Sequence, residues 1–226
     1  MRIVRSALFT LSAIACMSVP AAAQLVYDNG APDGTGGSEM SIWLQADNFT
    51  LRGDATISSV RFWAFQVGPD SYKGSVFWQI LNNAGTQPGT SVLATGSADP
   101  TRTGAGMYGR FQQYQYDFSI SPLALSSGTY YLALHNGPLV PIHDGPVLGS
   151  DFQMYWSTAA DNGTSHGARL QSPFDGGWNV NSGEFAFALY GDTTQSVVPE
   201  PAIIALTGTG LLLLGLGAHR RRSRKG

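Results

Sequence analysis

The sequence predicts an all-β protein, a two-sheet jelly-roll-like sandwich, on three observations. Apolar and polar residues alternate with a period of two in several segments of the central region, which is the pattern of half-buried strands. Turn-forming residues separate these segments, and Gly accounts for 28 of the 226 residues. No amphipathic helix is apparent between residues 24 and 198. About ten short strands without helices favour a sandwich or barrel, and of these we predict the sandwich.

The first 23 residues form a predicted signal peptide. Two arginines precede an apolar run at residues 7–19, and an Ala-Ala-Ala triplet ends at Ala23. A charged start, a short apolar run and a small-residue end are the three parts of a secretory signal. We expect cleavage after Ala23, which leaves Gln24 as the new N-terminus. Cys16 is the only cysteine and lies in the signal, so we expect no disulfide in the mature protein.

Five segments of the central region show the clearest alternation, and Gly, Pro, Asn or Ser bound them. These predicted strands are residues 60–65, 75–80, 113–120, 130–135 and 185–190. Weaker strand patterns lie at residues 25–28, 42–51, 91–96, 152–157 and 169–171. We assign residues 24–192 to the sandwich and the polar residues 193–198 to a linker.

The region between the two ends of the chain is acidic. Residues 24–198 contain six basic and 14 acidic side chains, a net charge of −8, whereas the whole chain carries −2 because its ends are basic. An acidic surface repels nucleic acids and anionic lipid headgroups. We therefore expect no nucleic-acid partner for this region.

An Asp-Asn-Gly-Ala-Pro-Asp-Gly stretch near the N-terminus is rich in oxygen ligands. Ca²⁺ binds six to eight oxygens, often from Asp, Asn and backbone carbonyls in such loops. Asp28, Asn29 and Asp33 are therefore candidate calcium ligands. Their spacing matches neither an EF-hand nor a nonapeptide repeat, and two plain turns explain the same residues. The same alternatives apply to Asp144 and to residues 161–163.

Aromatic side chains can form a sugar-binding platform on a β-sandwich or fill its core. Trp63 and Trp78 lie in strongly alternating strands, and we expect them in the core. Trp156 and Trp178 lie beside turn-rich stretches. We expect these two to be more exposed, and they are the candidate ligand-binding residues.

No catalytic motif is present in the sequence. The histidines between the two ends are His135, His143 and His166, and a zinc or nucleophilic site would require them to converge with carboxylates or a nucleophile. The sequence contains no His-Glu-x-x-His, Gly-x-Ser-x-Gly or phosphate-loop motif. We expect a protein that is not an enzyme, with no cofactor other than a possible calcium ion.

The chain ends in three elements. Pro199, Glu200 and Pro201 interrupt regular structure, residues 202–218 are uncharged and mostly apolar, and four Arg and one Lys follow by residue 225. A helix of about 17 residues is about 25 Å long, the short limit for crossing a bilayer. The basic residues would stay on the cytoplasmic side. An ordinary C-terminal membrane anchor would share these properties.

Together the three elements resemble the PEP-CTERM sorting signal of Gram-negative bacteria, over residues 199–225. In that family an exosortase, a membrane protease, recognises the tail and is thought to cut near the tripeptide. The resemblance implies that Pro199, Glu200 and Pro201 are the recognition element. It also implies that exosortase, the secretion machinery and the inner membrane are partners, the last through a transmembrane helix at residues 202–218.

The body of the chain also resembles the β-sandwich ectodomains that precede PEP-CTERM tails. The similar stretches are residues 46–51, 60–63, 88–89, 125–132 and 185–191. They contain packing and turn motifs, so this resemblance implies a fold and no particular chemistry.

Two functions follow as expectations. The first is an exported protein, held transiently in the inner membrane and then sorted to the cell envelope or the extracellular matrix, with a structural or adhesive role among the exopolysaccharides of a biofilm. The alternative is a carbohydrate-binding module assisted by calcium. A hydrolase ranks third because the catalytic motifs are missing.

Overall fold

A computed structural model describes residues 23–139, 153–162, 167–170, 177–181 and 183–193. All regular secondary structure in these residues is β-strand, and the strands form two antiparallel sheets. The prediction of an all-β protein with two sheets is confirmed. Within the described residues no helix could cross a membrane. The predicted signal before Ala23, the tripeptide and residues 202–218 lie outside this part of the chain.

The first sheet has eight strands, numbered here in chain order with those of the second sheet. They are β1 (Gln24–Asp28), β2 (Pro32–Glu39), β4 (Ala55–Gln66), β7 (Thr101–Tyr108), β8 (Phe111–Leu125), β10 (Met154–Ala159), β13 (Glu184–Phe185) and β14 (Phe187–Thr193). The second sheet has six strands in the order β12 (Trp178–Asn181), β11 (Gly167–Leu170), β3 (Gln45–Leu51), β9 (Gly128–Asn136), β5 (Val76–Asn83) and β6 (Pro88–Ala98).

Strand β4 organises the first sheet. It pairs with β8 along its whole length on one side, and on the other side with β14 and then β10. The change of partner occurs at Ala186, whose carbonyl accepts a hydrogen bond from Trp63 N and whose N–H donates to Ser157 O. This switch places Glu184 beside β10 and the rest of the segment beside β4.

The core lies between the two sheets. On β4, Val60, Phe62 and Ala64 point inward and are buried, as the period of two requires. Opposite them, the second sheet contributes apolar side chains from β3, β5 and β9, including Phe49. A large apolar side chain that is fully buried contributes about 1.5–3 kcal/mol, so this layer holds the two sheets together.

The two sheets differ on their outer faces. A smaller apolar cluster covers the outer face of the second sheet, made of Leu44, Ala46, Leu81, Tyr131 and Ala133, each at most 4% exposed. The outer face of the first sheet carries half-buried side chains instead, among them Trp63 on β4.

The five clear strand predictions are confirmed, although most of the strands extend beyond the alternating residues. Three strands were missed: the four-residue β12, and β2 and β7, which are rich in Gly, Ser and Thr and contain no fully buried residue. Asp33 therefore lies in strand β2 and not in a free turn. Strand β14 ends at Thr193, the first residue of the predicted linker.

Candidate functional site

The structure corrects the prediction for Trp156. This side chain lies on β10, points into the core and is 0% exposed. Its ring stacks on Phe185 at 4.8 Å, and its Nε1–H donates to Ala186 O at 3.0 Å. Strand β10 is flanked by β2 on one side and by β4 and β13 on the other, so its inward residues are core residues. Trp156 therefore cannot bind a ligand at the surface.

The second predicted tryptophan is on the opposite side of the molecule. Trp178 lies on β12 and is half-buried against the outer cluster of the second sheet. It therefore shares no surface with Trp156. Trp78 is a core residue, 6% exposed, as expected, but Trp63 is not, because it points to the open outer face of the first sheet.

The three candidate calcium ligands have different partners. The exposed Asp28 accepts a hydrogen bond from Gly30 N at 2.9 Å, and Asp33 accepts from Thr35 N at 2.9 Å and from Thr158 Oγ1 at 2.8 Å. The Asp28 contact is of the kind that stabilises a turn, whereas Asp33 bonds within β2 and to the neighbouring strand β10. Asn29 points the other way, into the protein, and is 4% exposed.

Asn29 joins two carboxylates that the sequence analysis did not single out. Its Nδ2 donates to Asp47 Oδ2 at 3.0 Å, to Glu184 Oε2 at 2.8 Å and to Phe185 O at 2.9 Å. Asp47 is 0% exposed and Glu184 is 2% exposed. Asn29, Asp47 and Glu184 are named the Asn29 cluster below.

Further polar groups surround the Asn29 cluster. Asp47 also accepts hydrogen bonds from Phe185 N at 2.6 Å and Asn48 N at 2.9 Å. Asn29 Oδ1 accepts from the Tyr27 hydroxyl at 2.7 Å and from Asn162 Nδ2 at 2.8 Å. Asn162 Nδ2 also reaches Glu184 at 3.2 Å. These donors partly replace the water that the carboxylates lose on burial.

The burial of two carboxylates together has an electrostatic cost. Burial, and next the charge of Glu184, raise the pKa of Asp47 well above its usual value. Burial also raises the pKa of Tyr27, with further contributions from the charges of Asp47 and Glu184. Both directions follow from a site that is poor in water and rich in negative charge.

The sequence positions this cluster through strand register. Asp47 alternates with Phe49 on the inward side of β3, and Glu184 begins the segment that changes partner at Ala186. A carboxylate two residues before an inward-pointing aromatic residue was the signal available for Asp47. No comparable local signal identifies Glu184, because its position depends on the pairing of β13 with β10.

A cleft of about 670 Å³ lies beside the Asn29 cluster at one end of the sheets. Its lining includes Tyr27, Asp28, Arg52, Asp54 and Asn162. Two of these residues, Tyr27 and Asn162, also bind Asn29. Solvent in the cleft is therefore separated from the buried carboxylates by a single layer of side chains.

The oxygens of the Asn29 cluster are of the type that calcium prefers. Among the described residues, however, no three His, Cys, Asp or Glu side chains converge, so the cluster offers two carboxylates and amide or carbonyl oxygens. Its carboxylates lie beneath the surface, where a polymeric substrate could not reach both. The arrangement suits a structural role better than a catalytic one.

The only described histidine is far from a nucleophile-and-base arrangement. His135 is 6% exposed, and its Nδ1 lies 3.1 Å from Gly137 O. Burial lowers its pKa. His143, His166 and Asp144 lie outside the described residues.

No protein-family model matches this chain, and no curated protein is significantly similar to it.

Proposed function

We propose that this protein is exported and processed through its C-terminal tail, and that its β-sandwich body is a structural or adhesive component of the cell envelope or extracellular matrix. The observation that carries the proposal is the order of tripeptide, apolar span and basic cluster at residues 199–225. The PEP-CTERM resemblance is part of the proposal, as are the exosortase and the inner membrane as partners.

The ends of the body support this proposal. Strand β1 begins at Gln24, the residue that would follow the signal cut, and pairs with β14, the last strand before the linker. The Gln24 side chain donates to Thr193 Oγ1 at 2.5 Å. The two ends of the body, at residues 24 and 193, therefore lie next to each other on the first sheet. Removal of the signal and of the tail would leave every core strand in place. The jelly-roll-like arrangement of the two sheets belongs to the same proposal.

A processing experiment tests the proposal. The full chain and a Glu200→Ala variant are expressed in cells with and without exosortase, and the C-terminal peptide is followed by mass spectrometry in membrane and medium fractions. We expect the Arg-rich peptide to be lost from wild-type protein only when exosortase is present. Gln195→Ala, in the linker, is the matched control and should be processed normally. An intact Arg-rich terminus on wild-type protein in the medium would refute the proposal.

The Asn29 cluster favours a second candidate, the carbohydrate-binding module assisted by calcium. Within this alternative, Asp47 and Glu184 replace Asp28 and Asp33 as the carboxylates beside Asn29. Calcium would neutralise two buried charges that otherwise repel each other. Calorimetric titration of the full chain with CaCl₂ tests this, with Asp28→Asn as the matched control for Asp47→Asn. Equal binding heats for wild type and both variants would exclude the cluster as the calcium site.

A further inference from the structure

Trp63 occupies an unusual position for a tryptophan in this fold. It lies in the middle of β4, the strand with neighbours along both sides, and its flanking residues Phe62 and Ala64 are 0% exposed. Trp63 itself points to the outer face and remains half-buried. Among the described residues no aromatic ring stacks on it. A partly exposed tryptophan at the centre of a sheet leaves some apolar surface in water that a ligand could cover.

A polar network lies next to Trp63. Gln115, directly opposite on β8, donates through Nε2 to Asp117 Oδ2 at 2.6 Å. Asp117 Oδ1 accepts a hydrogen bond from Arg61 Nε at 2.7 Å, and Arg61 Nη1 donates to the Tyr190 hydroxyl at 3.0 Å. The Arg61 and Asp117 side chains are 33% and 34% exposed. The network therefore joins three neighbouring strands and faces solvent.

A stacked row of rings supports the same face. Phe65, two residues beyond Trp63, is 5% exposed because Tyr108 stacks on it at 4.5 Å and Tyr155 at 5.1 Å. Gly37 on β2 permits this packing, since a Cβ there would lie 2.7 Å from the Phe65 ring. The residues around Trp63 are thus held on rigid strands, and little entropy is lost when a ligand binds.

We propose that the outer face around Trp63, with Arg61, Gln115, Asp117 and Tyr190, is a binding surface for a neutral polysaccharide. A sugar ring has an apolar C–H face, which suits the open indole, and a rim of hydroxyl groups, which suits the amide, carboxylate and guanidinium beside it. Three strands span about 10 Å, which is room for one or two sugar rings.

The charges of the region favour a neutral ligand over an anionic one. Arg61 is paired with Asp117, so the network has no net charge. Residues 24–198 carry a net charge of −8, which disfavours nucleic acids and acidic polysaccharides at moderate ionic strength. Among the residues whose side chains are described, the outer face of the second sheet offers no comparable site, because its apolar cluster is buried.

This inference rests on the adhesive role proposed above and names the surface that would carry it. The two can fail separately, because tail processing is read from Glu200→Ala and binding is read from Trp63 variants. A negative result in one experiment does not alter the interpretation of the other.

Binding is measured on the full chain, purified in detergent, by isothermal titration with laminarin and with mannan as neutral probes and alginate as the anionic probe. We expect the wild-type chain to bind at least one neutral probe more tightly than alginate. Trp63→Ala should weaken that binding by about ten-fold or more. Trp43→Ala, which removes another half-buried tryptophan, is the matched control and should change it less than about two-fold.

Trp63→Phe separates a binding role from a folding role. It keeps an aromatic face, so it should retain most of the affinity, while the change in tryptophan fluorescence on titration should disappear. The inference is overturned if no neutral probe binds, if alginate binds more tightly, if Trp63→Ala binds like wild type while folded by circular dichroism, or if Trp43→Ala shows the larger loss.

Discussion

Two regions of this sandwich contain residues whose polarity does not match their surroundings: the interior contains carboxylates, and the outer face of the first sheet contains a tryptophan. Asp47 and Glu184 are buried between the sheets, whereas Trp63 remains partly exposed at the centre of a sheet. In both regions strand alternation decides where a side chain points, whatever its polarity. A residue whose polarity disagrees with its position costs free energy of folding, so both regions are candidates for function.

The largest expected difference in stability is between alanine variants of two tryptophans, Trp156 and Trp63. Trp156→Ala should lower the free energy of unfolding by about 3–5 kcal/mol, because it leaves a cavity in the core and removes one of the two hydrogen bonds that the Ala186 carbonyl accepts. Trp63→Ala should lower it by less, about 2 kcal/mol, since part of the Trp63 side chain is already exposed. Denaturant unfolding followed by circular dichroism gives both values. Equal losses would mean that Trp63 is a core residue after all.

The second contrast concerns the buried carboxylate. Asp47→Ala should cost about 3 kcal/mol, because the N–H groups of Asn48 and Phe185 lose the carboxylate that accepts from them and Asn29 loses one of its three acceptors. The matched control Asp28→Ala removes one exposed contact and should change stability little. If Asp47→Ala stabilised the protein, the repulsion between Asp47 and Glu184 would outweigh these hydrogen bonds, and the cluster would not be structural.

A pair of glycines tests how tightly the outer face is packed. A Cβ at Gly37 would lie 2.7 Å from both the Phe65 ring and Trp156 O, whereas at Gly36 its nearest neighbour would be 3.9 Å away. Gly37→Ala should therefore cost about 2 kcal/mol, and Gly36→Ala less than about 0.5 kcal/mol. The same unfolding measurement compares them. A harmless Gly37→Ala would show that the ring row can move, which would weaken the case for a rigid binding surface.

The clearly alternating segments were predicted as strands, whereas the four-residue β12 and the strands β2 and β7, which do not alternate, were missed. Residues 60–65 and 113–120 have apolar or aromatic residues at every second position, and both lie in strands of the first sheet. Strands β2 and β7 lack a repeating apolar pattern and are stabilised by pairing with β10 and β8. Pairing with a distant strand leaves no local pattern, so these strands could not be predicted.

The candidate site was less predictable than the fold. Residues 152–157 contain apolar side chains at consecutive positions, so the direction of Trp156 could not be read from alternation. For Trp63 the alternation was clear, but whether another layer covers its face is a tertiary property. Asp47 and Glu184 are far apart in sequence and meet only because the chain changes partner at Ala186.

The smallest expected effect is on the pH dependence of stability. It concerns His135, which is buried at the outer face of the second sheet. Burial lowers the pKa of His135 in the folded state below its usual 6.5. The unfolded chain then binds a proton more readily, so the stability contribution of neutral His135 is complete above pH 6.5 and declines as pH falls below it. We expect the free energy of unfolding to fall between pH 7 and 5.5 more steeply in wild type than in His135→Gln.

The difference between these two slopes isolates His135. Asp47 titrates with a pKa that burial and Glu184 raise, which gives a stability change of the opposite sign, but it is present in both chains and cancels. Chemical denaturation at each pH supplies the slopes. Parallel slopes would mean that His135 is solvated in solution. The outer face of the second sheet would then be as accessible to solvent as that of the first. Among the described residues, the face around Trp63 would no longer be the only outer face available for binding.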